Sequence, residues 1–337
     1  MILVTGGTGM LGSHLLFKLI QKNIPVRAIY RREEKLALTK KIFSYYSKDF
    51  ESLFKKIEWI AADITDVPSL EKAFKDVNEV YHCAAFVSFE PDKYQLLRKI
   101  NIEGTANVVN LCIDKGINKL CHVSSVAALG ESINGKPIDE ETDFNNDADN
   151  HVYGITKFGA EMEVWRSVQE GLSAVIVNPG VIIGPGIWSH GSGSFIKNGY
   201  KGHKYASPGT ISLIDIEDVV DFMIQLMEGN HVNERYVFVA ETWSTEKFFN
   251  AINAEFGNPE VSKIVKPWQL EVAWRFDWLR HKLTGKRRQL TKQLAKTACR
   301  TSSYDNSKIT NTLDCKFKPI EQSIRECGKL FLNQFEE

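Results

Sequence analysis

The stretch "VTGGTGMLGSHL" at 4–15 constrains this chain more than any other. Gly6, Gly9 and Gly12 fall where a short apolar run, "ILVTG" at 2–6, passes into an amphipathic segment, "MLGSHLLFKLIQKN" at 10–23. Glycines let a chain turn tightly and let a charged group approach the backbone. A helix N-terminus adds unpaired amides and the positive end of its dipole. A glycine triplet alone is weak evidence. Between a first strand and a first helix it predicts a pyrophosphate-binding turn over Gly6, Thr8, Gly9, Met10, Leu11 and Gly12.

The rest of the first 180 residues supplies the context that such a turn needs. Five more short apolar runs follow: "PVRAIY" (25–30), "IEWIAAD" (57–63), "EVYHCAA" (79–85), "KLCHVSS" (119–125) and "SAVIVNP" (173–179). Longer amphipathic segments such as "YQLLRKINIEGTANVVNLCIDKG" (94–116) separate them. Strand–helix alternation with short connections predicts an α/β fold, a doubly wound parallel sheet of the Rossmann type. After Pro179 the rhythm changes to the Gly-, Ser- and aromatic-rich "GPGIWSHGSGSFIKNGYKGHKYASPG". A helix at 213–227 and a strand at 235–240 then return. The expected plan is a nucleotide-binding domain over 1–180, with 207–240 returning to it. A smaller mixed C-terminal substrate lobe would be built from 181–206 and 241–337.

Charge and cysteine content exclude several functions. Lys plus Arg equals Asp plus Glu at 42 each, so no global field exists to hold nucleic acid. The cysteines (Cys83, Cys112, Cys121, Cys299, Cys315 and Cys327) form no C-x-x-C pair and no metal-ligand spacing. No uncharged apolar run reaches the roughly 18 residues that a membrane span needs. The chain opens on "MILVTG" without a basic n-region, so no signal peptide and a cytoplasmic location are expected.

Two short patterns bear on chemistry. Tyr153 and Lys157 in "HVYGITKFGAEMEVWR" (151–166) are four residues apart in a helical segment, hence on one face. A positive charge there favours phenolate and predicts a lowered Tyr153 pKa. At the end of the second strand, "AIYRREEK", an acid would bind the ribose hydroxyls of NAD. Arg31 and Arg32 stand there instead and suit a 2′-phosphate, which favours NADP over NAD.

With these pieces together, the chain resembles the extended short-chain dehydrogenase/reductases. It is most similar to the branch of dihydroflavonol reductases and 3β-hydroxysteroid dehydrogenases. The resemblance rests on Thr5, Gly6, Gly9 and Gly12, on "AADITD" (61–66), "HCAA" (82–85), "NIEGTANVV" (101–109), "HVSSVAALG" (122–130), Y-x-x-x-K and "NPGVIIGPG" (178–186). It covers residues 1 to about 240 well and the tail loosely. It implies a catalytic Ser125, Tyr153 and Lys157, with Asn101 either in a proton relay or capping its helix. Ser124 competes with Ser125, but alternation along a strand turns the two to opposite faces. The resemblance further implies cofactor contacts from Asp63 and Ile64, from Ala84 and Ala85, from Ser124, and from Pro179, Gly180 and Val181. Tyr153 and Lys157 would touch the cofactor as well. His82 and His122 are expected to be core or pocket residues, and His151 a surface residue.

The implied reaction is hydride transfer between NADP(H) and a small-molecule ketone, aldehyde or alcohol. A nucleotide-sugar epimerase with tightly held NAD is the main alternative. A non-enzymatic NADP sensor is the minor one, disfavoured because the tyrosine is retained. "VAALG" lacks the acidic pair of the dehydratases. Trp188, Phe195, Tyr205, Trp268, Trp274 and Trp278 are candidates for an apolar substrate cavity, the last three otherwise for core. The basic stretch 275–300, with Asp277 as its only acid, would meet an anionic substrate, an anionic membrane or only solvent. Helices 93–115 and 151–170 pair subunits in many relatives, which implies a homodimer.

Overall fold

The computed structural model describes residues 1–132, 135–189, 191–286, 288 and 290–334. The six apolar runs become strands β1 (Ile2–Thr5), β2 (Val26–Tyr30), β3 (Glu58–Ala61), β4 (Glu79–His82), β5 (Lys119–Val123) and β6 (Ala174–Pro179). Six shorter or later strands follow: β7 (Val181–Ile183), β8 (Tyr205–Ala206), β9 (Thr210–Asp215), β10 (Glu234–Phe238), β11 (Glu241–Ser244) and β12 (Lys263–Ile264). Among the described residues, seven parallel strands form one sheet in the order β10-β6-β5-β4-β1-β2-β3. Val4 stands opposite both Ala28 and Tyr81 in its register.

Helices cover both faces of this sheet, which is why its central strands are apolar on both sides. They are α1 (Met10–Gln21), α2 (Leu36–Ser44), α3 (Phe50–Lys55), α4 (Val67–Ala73), α5 (Tyr94–Leu97), α6 (Gly104–Asp114) and α7 (Val152–Gln169). α8 (Gly193–Tyr200), α9 (Ile216–Glu228) and α10 (Thr245–Glu255) come next. The tail holds α11 (Pro267–Thr284), α12 (Lys292–Thr297), α13 (Ser307–Leu313) and α14 (Ile320–Asn333). Alternate strand residues feed opposite cores. Val4, Tyr81, Cys121 and Val177 pack with Leu15, Leu16 and Leu19 of α1 and Val219 and Met223 of α9. Leu3, Val80, Leu120 and Ile176 pack with Leu70 of α4, Val108 of α6 and Val164 of α7. Each fully buried leucine or valine contributes about 1.5–3 kcal/mol.

A second sheet, β11-β9-β7, builds the smaller lobe with α8, α10 and α14. Its core holds Ile183, Trp188, Leu213, Trp243, Phe248 and Phe331. α9 and β10 return to the main sheet, and Ile309 of α13 joins the first core. Tryptophan placement departs from expectation. Trp188 is buried edge-on against Phe331 at 5.3 Å, and the half-buried Phe195 meets Phe248 edge-on at 5.5 Å, so both pack in the small lobe. Tyr205, Trp268 and Trp278 are exposed, and Trp274 is half-buried, so the three late tryptophans are not core either.

The chain leaves β3 and returns beside β1 as β4, so the strand order reverses between β1 and β4. Ligands of doubly wound sheets bind in the crevice that this reversal opens at the strands' carboxyl ends. Gly6 sits there with φ +70°, and a Cβ on it would lie 2.7 Å from the Ala84 amide nitrogen. Gly116 has φ +63° but open space around it. Gly116→Ala should therefore lose only the left-handed backbone strain, about 1–2 kcal/mol. Gly6→Ala should lose more, because β4 must also move; equal losses in urea unfolding would show that the crevice is looser than its geometry.

Candidate active site

The glycine turn forms an anion cradle. The Gly9 amide donates to the Gly6 carbonyl at 2.9 Å, and the Ser13 amide donates to the Gly9 carbonyl at 2.9 Å. Gly9 caps α1 with no side-chain hydrogen bond, and no acidic residue occupies the first turn. The amides there and the helix dipole are thus available to an anion. A Cβ on Gly12 would collide with the Gly6 carbonyl, whereas one on Gly9 would meet only that oxygen, at 3.2 Å. Gly12 closes the loop onto its helix, and Gly9 keeps the outer face low. Ser13 braces the turn from beneath, donating to the Gly7 carbonyl at 3.1 Å. These residues fit a pyrophosphate.

Along the crevice, Tyr30, Arg31, Arg32, Asp63, Asp66 and Ser69 line a cavity of about 630 Å³. Asp63 accepts from the Thr65 amide and hydroxyl, both at 2.9 Å, which fixes its carboxylate. Arg31 lies 3.7 Å from Asp63, and Arg32 lies 3.6 Å from Glu34. Exposed pairs of this kind are worth about 0–1 kcal/mol. Both guanidiniums can therefore swing to a phosphate at little cost. Ala84 is half-buried and Ala85 exposed along the same edge, and Gly180 and Val181 are half-buried at its far end.

Three of the expected cofactor contacts are buried. Ile64 is buried in the second core, its Cδ1 against Gly104 where no Cβ would fit. Pro179 is buried in β6. The Ser124 hydroxyl is turned inward beside the Glu161 carboxylate.

At the other end of the crevice, His151 caps α7, its Nδ1 accepting from the Gly154 amide at 2.8 Å. It also stacks on Tyr153 at 6.2 Å, and it is a half-buried cap rather than a surface residue. A Cβ on Gly154 would lie 2.7 Å from the Ala127 carbonyl. This close approach brings α7 onto the turn that follows β5. There the Ser125 hydroxyl accepts from the Ala127 amide at 3.1 Å, and it is close enough to the Tyr153 phenol to favour its ionised form. Lys157, one turn on and only 1% exposed, donates from Nζ to the Val123 carbonyl at 2.7 Å.

The electrostatics correct one expectation. Burial pushes the Tyr153 phenol up to about 12, with the nearby Ser125 hydroxyl working against it. Lys157 does not lower it here, because its ammonium is turned to the β5 carbonyl. Lys157 itself is brought down to about 8 by burial, opposed by the charge of Glu161. Folding thus disfavours its charge. That cost is full below pH 8 and disappears as pH rises toward 10.5.

Asn101 neither caps a helix nor stands free to relay a proton. It lies inside a continuous helical stretch from Tyr94 to Asp114, within a wide turn at Arg98–Glu103. Its Oδ1 accepts from the Phe86 amide at 2.8 Å, and its Nδ2 donates to the Phe86 carbonyl at 3.0 Å and to Thr156 Oγ1 at 3.1 Å. Asn101 clamps the loop after β4 to α7. His82 bridges Thr5 and Thr105, at 2.7 and 2.9 Å. Burial and the nearby Lys157 charge hold both His82 and His122 neutral.

One participant escaped the sequence reading. Glu161, fully buried, accepts from Asn178 Nδ2 at 2.6 Å and lies 3.4 Å from Arg235. The same Nδ2 donates to the Ser125 carbonyl at 3.0 Å. Glu161 follows Lys157 by four residues, so the spacing that singles out Tyr153 and Lys157, extended one step, reaches it. Its charge favours protonated Lys157. Glu161→Gln should move the alkaline limb of any Lys157-dependent turnover from near pH 8 to lower pH. A pH–rate profile checks this, and an unmoved limb would make Glu161 a packing residue only.

Comparisons with known proteins agree with this geometry. The model of the NAD dependent epimerase/dehydratase family matches residues 2–238. "Putative dihydroflavonol 4-reductase" of Synechocystis sp. is 26% identical, covering 98% of this chain and 94% of that one. Cinnamoyl-CoA reductase 1 of Oryza sativa is 27% identical, covering 71% of each. The solved UDP-glucose 4-epimerase of Thermotoga maritima superposes with a TM-score of 0.77 at 20% identity over 99% of both chains, which shows the shared fold. The chain therefore belongs to the NAD dependent epimerase/dehydratase family of extended short-chain dehydrogenase/reductases, as an NAD(P)-dependent oxidoreductase of the dihydroflavonol reductase-like branch.

Proposed function

We propose that this protein reduces a ketone or aldehyde, or oxidises the matching alcohol, with NADP(H). The observation that carries the reading is the Tyr153 phenol set beside the Ser125 hydroxyl, one turn from the buried Lys157. The nicotinamide, when bound, supplies or accepts the hydride. Ser125 holds the substrate oxygen by hydrogen bonding, and Tyr153 delivers the proton to it. A phenol raised by burial stays protonated at neutral pH, the state that a proton donor needs. Lys157, charged at pH 7, holds the nicotinamide ribose.

In this reading Gly6, Thr8, Gly9, Met10, Leu11 and Gly12 hold the pyrophosphate. Asp63 binds the adenine, Ala84, Ala85, Gly180 and Val181 line the cofactor, and Arg31 and Arg32 take the 2′-phosphate. Residues 1–180 and 207–240 serve the cofactor, and 181–206 with 241–337 the substrate. Phe89, whose ring meets Tyr153 at 5.7 Å, gives the reacting centre an apolar neighbour. The relatives include one named sterol demethylase protein B, from Methylococcus capsulatus, 28% identical over 79% of this chain and 77% of that one. Both observations support an apolar, ring-bearing substrate. Two copies pair through α5–α6 and α7, where Leu96 and Met162 leave apolar side chains exposed.

Tyr153→Phe should lower turnover by about 10²- to 10⁴-fold while NADPH binding, read by fluorescence, is kept. Unchanged turnover would remove Tyr153 from the reaction. Replacing Arg31 and Arg32 together by Ser should raise the KM for NADPH about tenfold or more, since a bond to a charged group is worth about 1.5–3 kcal/mol. The KM for NADH should stay in place; a parallel rise would mean that the arginines do not read the phosphate. Tightly retained NAD with interconversion of a nucleotide sugar, and no carbonyl reduction, would replace this reading by the epimerase one.

A further inference from the structure

Helix α11 is 18 residues long and buries none of them. Trp268, Val272, Phe276, Leu279 and Leu283 follow one another at steps of four, four, three and four, which places them on one face. All five are exposed, Trp268 by 63%, Phe276 by 68% and Leu283 by 75%, and Trp278 is exposed beside them. The opposite side, with Leu270, Trp274, Asp277 and Arg280 half-buried, rests on α12. A continuous exposed apolar stripe of this length on a folded protein marks a surface that is covered in use.

The charges beside the stripe say what covers it. Lys266, Arg275, Lys282 and Lys286 flank it, and Lys282 lies over the Trp278 ring at 5.3 Å. The two acids of the helix are engaged within it. Glu271 accepts from Trp274 at 3.0 Å and from Arg275 at 2.7 Å, and Asp277 accepts from Arg280 at 2.5 Å and from the Leu290 amide at 3.1 Å. Among the described residues, no carboxylate lies within ion-pair distance of Lys266, Lys282 or Lys286. A second copy placed on this face by a two-fold axis would bring basic flank against basic flank. Lipid phosphates would instead meet the lysines, while tryptophan, phenylalanine and leucine enter the boundary below the headgroups.

We propose that α11 docks this protein on an anionic phospholipid surface, lying in its plane. Among the described residues no helix is long and apolar enough to cross a membrane, so the contact is peripheral. Beyond α11, Thr291 donates to the Phe89 carbonyl at 3.2 Å, and the Phe89 ring meets Tyr153 at the candidate site. An apolar substrate dissolved in the bilayer would thus enter beside the reacting phenol. That last step rests on the function proposed above, whereas docking is independent of it.

Sedimentation of the full chain with vesicles tests the docking without reference to turnover. The protein should bind vesicles of mixed phosphatidylcholine and phosphatidylglycerol, with a blue shift of tryptophan fluorescence, and bind pure phosphatidylcholine much less. The double variant Phe276→Ser/Leu283→Ser and the double variant Lys282→Glu/Lys286→Glu should each weaken binding about tenfold or more. These side chains are exposed, so thermal unfolding should be unchanged. No binding by the natural chain, or binding that neither variant weakens, would overturn the proposal. So would a dimer in solution that Phe276→Ser/Leu283→Ser splits into monomers, because a second copy would then own the face.

Discussion

The close approach of α7 to the end of β5 governs the geometry of this protein's reactive centre. Gly154 leaves room for the Ala127 carbonyl, and Lys157 reaches across to the Val123 carbonyl at 2.7 Å. A larger residue at 154 would lift the helix from the strand, and Tyr153 would leave Ser125. The same helix is tied from its other side by Thr156 to Asn101, and through Asn101 to the loop after β4. The ends of β4 and β5 and two helical stretches are thus held to one another by buried polar side chains that grip backbone carbonyls and amides. A proton donor kept within hydrogen-bond range of a substrate oxygen needs that rigidity.

Burial shapes the chemistry as much as position does. A lysine and a glutamate are each closed off from solvent here, a costly arrangement unless their charges are answered. Arg235 and Asn178 answer Glu161, and Glu161 in turn favours the ammonium of Lys157. His82 and His122, in contact at 5.2 Å, stay neutral and add no competing charge. The result is a buried cation beneath a protonated phenol. At the far end of the crevice the opposite holds: Arg31 and Arg32 stay in solvent, where their weak ion pairs leave them adaptable.

The smaller lobe solves a different problem. Its aromatic residues are mostly consumed in its own core, where Trp188, Phe248 and Phe331 interlock. α11 is the exception, since the lobe presents its apolar stripe outward instead of burying it.

Much of this was legible in the sequence because it is local. A glycine turn between a strand and a helix, alternating runs that feed two cores, and a tyrosine and lysine one turn apart all express short-range periodicity and backbone sterics. Where those rules ran out, the answer depended on what another segment brought near. Asn101 became a clamp because Phe86 and Thr156 arrive beside it. His151 became a cap because α7 begins one residue later. Trp188 became core because α14, far along the chain, packs on it. The pKa of Tyr153 and the alliance of Glu161 with Arg235 and Asn178 likewise arise from separate elements meeting in a buried space. Spacing along one helix determines which side chains share a face. Only tertiary packing decides which of them lose solvent, and in a low-dielectric interior that loss sets charge, proton affinity and therefore reactivity.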